Sequence, residues 1–72
     1  MEQQTISQYL KQKRKEYHLT QIECAYKAGV GLRFLRELEQ GKESMRMDKI
    51  NQVLRLFGAE LGPVPMNRHL DE

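Results

Sequence analysis

Apolar residues recur at helical spacing along most of the chain. Ile6, Leu10 and Tyr17 fall on one stripe, Phe34, Leu35 and Leu38 on a second, and Met47, Ile50, Val53, Leu54 and Phe57 on a third. A period near 3.6 predicts helices, and no tract before residue 58 alternates as a strand does. The only prolines are Pro63 and Pro65, so everything before them is free to be helical. Four helices of about ten residues each divide the chain. The first runs from Thr5 or Ile6 to about Tyr17, with Thr5 as its cap. The second starts after Thr20, which forms a capping box with Glu23, and ends at Gly29 as a left-handed residue. The third spans Leu32 to Gln40 and is closed by Gly41. The fourth runs from about Met47 to Phe57 and stops at Gly58.

Beyond Gly58 the pattern changes. Ala59 and Leu61 alternate with Glu60 and Gly62, and Pro63 and Pro65 bound the stretch, which reads as an extended strand or arm. Its backbone needs hydrogen-bonding partners, and the simplest is the same strand of a second copy. Ala59, Leu61 and Val64 are therefore the expected dimer contacts; the alternative is that Leu61 and Val64 fold back on their own subunit as a cap. Residues 66–72 are polar apart from Met66 and Leu70 and read as a flexible tail. The expected organisation is a helical domain over 1–58, a dimerisation strand over 59–65 and the tail over 66–72. The fold class is all-α: a small bundle of four to five short helices with a short C-terminal β-strand.

The stretch from Thr20 to Gly41 carries the most information. Two short helices are separated by Gly29-Val30-Gly31, a connection of helix-turn-helix length. On the third helix, at about 100° per residue, Phe34, Leu35 and Leu38 fall within about 100° of one another. Arg33, Arg36 and Gln40 gather on the opposite face, with Leu32 at its edge. Those side chains suit major-groove readout, because arginine offers guanine two parallel hydrogen bonds and leucine can meet a thymine methyl. Any solvated amphipathic helix shares part of this pattern, and it gains weight from the capped helix and turn before it. Glu37 stands one turn after Arg33, where it either pairs with that arginine or accepts from a cytosine amine.

Length and charge narrow the remaining classes. Seventy-two residues bury only about 60% of the surface of the unfolded chain, so a staple is expected. A single cysteine, Cys24, makes no internal disulfide, and two histidines, His18 and His69, supply no zinc-site spacing. Oligomerisation is the staple that remains. Residues 1–57 hold eleven Lys/Arg against seven Asp/Glu, while residues 58–72 are net acidic. A mildly basic body is compatible with a polyanion, although the run Lys11, Lys13, Arg14, Lys15 also suits the negative end of the first helix. The first residues lack the order of a secretion signal and no apolar run reaches membrane-spanning length. A cytoplasmic, non-enzymatic protein without metal or cofactor is expected, with no membrane association.

Leu19-Thr20-Gln21, Cys24-Ala25, Lys27-Ala28-Gly29-Val30 and Leu35-Arg36-Glu37-Leu38-Glu39-Gln40-Gly41-Lys42 together resemble the helix-turn-helix of the XRE family, the Cro and phage-repressor type of regulators. The similarity covers residues 5–57 and implies a lambda-repressor-like DNA-binding domain. The run from Gly31 to Lys42, with Asp48 to Leu54 and Phe57 to Gly62, resembles more narrowly the HipB-type antitoxins. The resemblance implies base reading by Leu32, Arg33 and Arg36. It implies DNA-backbone contacts by Gln21, Gln40, Lys42 and Arg46, with Gln21 also bracing the third helix. It further implies a buried ion pair between Arg14 and Glu39. That pairing also explains a charged residue at Arg14, on the stripe of Ile6 and Leu10. Gly31 stands where many members carry Ser, Thr or Lys, and Cys24 where leucine is usual.

The function so implied is a sequence-specific, dimeric transcriptional repressor of a palindromic operator on double-stranded DNA. In the narrower branch it is an antitoxin that binds a HipA-like kinase toxin and autoregulates its operon. The alternatives are a free-standing phage-type or restriction-controller regulator, or a helical protein–protein adaptor.

Overall fold

The computed structural model describes residues 4–65, which form four helices: α1 (Ile6–Glu16), α2 (Gln21–Ala28), α3 (Leu32–Glu39) and α4 (Met47–Leu56). The first two start alike. The Thr5 hydroxyl accepts from the Gln8 amide while the Gln8 side chain accepts from the Thr5 amide; Thr20 and Glu23 repeat the reciprocal pair. Each box satisfies two amides that a helix start otherwise leaves open.

All four helices also end alike. His18, Gly29, Gly41 and Gly58 take positive φ angles of 58°, 77°, 92° and 75°. Each donates to a carbonyl in the last turn, and the next residue donates one carbonyl further back, as Leu19 does to Arg14 and Val30 to Ala25. These are Schellman closures, which favour glycine because a Cβ crowds the left-handed backbone. His18 meets that requirement with a side chain in place.

The core consists of Leu10 from α1, Cys24, Ala25 and Ala28 from α2, Leu35 and Leu38 from α3, and Ile50, Val53, Leu54 and Phe57 from α4 and its end. Small residues face inward along α2, so α2 approaches both α3 and α4 closely, and α1 packs on α3. Stripe positions at the helix ends are less covered than their period implies. Met47 opens α4 exposed, and Tyr17 is half exposed, its ring meeting Phe57 edge-on at 5.1 Å.

Residues 59–65 form no strand in the single chain. The Leu61 amide, which a partner strand would otherwise satisfy, donates to Asn51 Oδ1 at 2.7 Å, and the Ala59 and Leu61 side chains pack back against the core. Val64 is exposed. The tail expected over 66–72 lies outside the described residues.

Candidate nucleic-acid interface

Gly29 turns the chain between α2 and α3, and Val30 folds under it onto the core. The turn is held from outside its own sequence. Gln52 of α4 donates through Nε2 to the carbonyls of Ala28 and Gly29 at 3.1 and 3.0 Å. A Cβ on Gly29 would stand 3.1 Å from that same nitrogen, and its φ is already in the left-handed region. Two requirements thus converge on one glycine.

The resulting α3 has two unlike sides. Leu35 and Leu38 are buried, with 0% and 3% exposure, and Phe34 lies half-buried against them. Arg33, Arg36 and Gln40 are exposed, and Leu32 is half-buried at the edge, as the angular arithmetic places them. The arginines therefore share a surface with no apolar residue between them and solvent.

Behind that surface, Glu39 is buried to 3% exposure and fully paired. Arg14 Nε and Nη2 donate to its Oε2 and Oε1 at 2.7 and 3.0 Å, and Gln21 Nε2 adds a bond of 3.1 Å to Oε1. Arg14 Nη1 donates to the Leu19 carbonyl at 3.0 Å. Hydrogen bonding to Glu39 raises the Arg14 pKa above its ordinary value, outweighing the cost of desolvation. Burial likewise pushes the neighbouring Cys24 thiol up, which makes it a poor nucleophile. This cluster ties α1, the start of α2 and the end of α3 at one point. It brings together Arg14, Gln21 and Glu39 from the sequence-predicted residues, with the Gln21 amide group turned inward to the acid.

The loop after α3 carries Lys42 and Arg46, each beside an acid. Lys42 Nζ lies 3.4 Å from Glu37, which also stands 3.5 Å from Arg33 Nε. Arg46 donates to both oxygens of Asp48 at 3.1 and 2.6 Å, and that contact holds the Asp48 carboxyl below its usual range. Ala59 and Leu61 lie beside Ile6, Tyr9 and Leu54, with the Leu61 amide on Asn51 of α4.

Asn51 and Gln52 escaped the sequence reading. Both read as polar positions on a helix, and their roles depend on the approach of distant backbone, which leaves no local signal. The Gln8 half of the α1 capping box was readable, three residues after Thr5. Among the described residues no cluster of three or more His, Cys, Asp or Glu is placed to hold a metal ion, and no helix is long and apolar enough to cross a membrane.

No family model matches the chain, and no solved structure matches it significantly. A relative does: an uncharacterized HTH-type transcriptional regulator, y4mF, of Sinorhizobium fredii, is 48% identical over 48 residues, 67% of this chain. The chain spans 63% of that relative's length. Across two thirds of its residues, the four-helix chain with its α2–turn–α3 unit is thus similar to a helix-turn-helix-type transcriptional regulator.

Proposed function

We propose that this protein is a sequence-specific DNA-binding transcriptional repressor that lays α3 in the major groove. One observation carries the reading: Leu35 and Leu38 bury one side of α3 while Arg33, Arg36 and Gln40 stand exposed on the other. Arg33 and Arg36 read bases, Leu32 offers an apolar edge, and Gln40, Lys42 and Arg46 meet the phosphates. Gln21 braces Glu39 and, in this reading, also meets the DNA backbone. The y4mF relative, named as a transcriptional regulator, supports the same reading. Enrichment of duplexes from a random pool tests it: a recovered motif supports it, and a pool without preference defeats it.

The working form is a homodimer built through Ala59, Leu61 and Val64. A groove of about 300 Å³ between the start of α1 and residues 59–62, lined by Ile6, Tyr9, Leu54, Ala59 and Leu61, offers a second copy an apolar seat. Two copies set their α3 helices about 34 Å apart, the spacing that reads a palindrome. The narrower role, an antitoxin partnered with a HipA-like kinase, rests on the sequence resemblance of residues 31–42 and 48–62. A kinase gene beside this one, with its product co-purifying, distinguishes that role from a free-standing regulator.

A further inference from the structure

An acid stands among the cations of the proposed DNA face. Glu37 Oε2 lies 3.5 Å from Arg33 Nε, and its Oε1 lies 3.4 Å from Lys42 Nζ. The main chain repeats the second link, since the Lys42 amide donates to the Glu37 carbonyl at 3.1 Å. The Glu37 side chain is 31% exposed and that of Arg33 is 91% exposed, so the acid is the better fixed of the two.

A carboxylate on a phosphate-facing surface is repelled by every duplex, so general affinity gives no reason for its presence. The geometry at Arg33 supplies one. Glu37 meets the guanidinium at Nε, and among the described residues neither terminal Nη group has a hydrogen-bond partner. Those two nitrogens are a parallel donor pair of the kind that recognises guanine O6 and N7. The 3.5 Å approach at Nε is an ion pair and not a hydrogen bond, and it biases the guanidinium toward the end-on orientation, reducing the rotamer freedom lost on binding. An exposed pair at this spacing is weak in water and strengthens as the groove excludes solvent.

We propose that Glu37 is a positioning residue for base readout: it orients Arg33 end-on to a guanine and competes with the phosphates for Lys42, lowering general affinity while raising discrimination. The inference rests on the DNA-binding reading above.

Fluorescence anisotropy tests it with the parent, Glu37→Ala, Arg33→Ala and the double variant. The probes are the enriched duplex, its single base-pair variants and an unrelated duplex. Alanine keeps the helix, being the best helix former. Glu37→Ala is expected to bind the unrelated duplex about two- to fivefold more tightly. Its salt slope should steepen by up to about 0.9 as Lys42 neutralises its phosphate without competition from Glu37. Preference should fall about three- to tenfold at the base pair that Arg33→Ala identifies, with no further fall in the double variant. Equal tightening on all duplexes with preference intact overturns the inference. A preference lost at a different base pair also overturns it, since that marks Glu37 as a direct acceptor from cytosine. A parent without preference is seen before any variant is compared, and it overturns the DNA reading together with this inference.

Discussion

The guanidinium of Arg14 meets the carboxylate of Glu39 edge-on, at 2.7 and 3.0 Å, across twenty-five residues of sequence. Arg14 sits near the end of α1 and Glu39 is the last residue of α3. The pair therefore fixes how the exposed side of α3 is aimed, and Gln21 joins it to the start of α2.

Removing either partner leaves a buried charge unmatched. Glu39→Ala or Arg14→Ala should cost roughly 3–5 kcal/mol. That is a large share of the stability of a domain this small. Thermal and urea unfolding of the variants check it, and a midpoint equal to the parent's contradicts the pairing. Gln21→Ala removes one of the three bonds to Glu39 and should cost less, about 1–3 kcal/mol.

The clamp on the α2–α3 turn is a separate device. Gln52→Ala leaves two carbonyls without their side-chain donor and should cost about 1 kcal/mol. Gly29→Ala strains the left-handed backbone by about 1–2 kcal/mol and also presses on Gln52 Nε2, so its cost should exceed that of Gln52→Ala. Denaturant midpoints rank the two variants, and the reverse order contradicts the arrangement.

His18 closes α1 in the left-handed conformation that the other three helices give to glycine. His18→Gly should raise stability by about 0.5–1 kcal/mol, the relief of the Cβ clash less the added freedom of the unfolded chain. In a domain of this size about 1 kcal/mol moves the melting point by about 4–8 °C. A variant that melts lower than the parent contradicts this reading of the turn.

What was legible in the sequence was what local chemistry decides. Thr20 with Glu23, Gly29, Gly41 and Gly58 mark boundaries that lie within a residue or so of the observed ones, because caps and left-handed closures act within four residues. The two faces of α3 followed from period alone. The Arg14–Glu39 pair showed as a charge misplaced on an apolar stripe, although naming its partner needed the family resemblance. Asn51 and Gln52 were not legible, since each serves backbone that only folding brings near. Residues 59–65 have the alternation of a strand, yet in one chain Asn51 takes the amide of Leu61 and the side chain of Leu61 turns to its own core.

That last arrangement makes Val64 the cleaner probe of assembly. Val64 is 59% exposed and outside the core, so Val64→Asp should leave the melting of the helical unit unchanged at low concentration. A charge in a paired apolar seam should nevertheless split the dimer. Light scattering should give the parent twice the chain mass and Val64→Asp the single mass. A parent that stays monomeric at high concentration contradicts the dimer.

The central proposal is that Arg36, exposed on α3 opposite the buried Leu38, reads a base. The most direct measurement is the affinity of the parent and Arg36→Ala for the enriched duplex and for each of its single base-pair variants, at one fixed salt concentration. The parent should discriminate by about 1–3 kcal/mol at the base pair Arg36 reads, and Arg36→Ala should lose that discrimination there while keeping it elsewhere. A parent that binds every duplex alike, or an Arg36→Ala variant with an unchanged preference at every position, would contradict it.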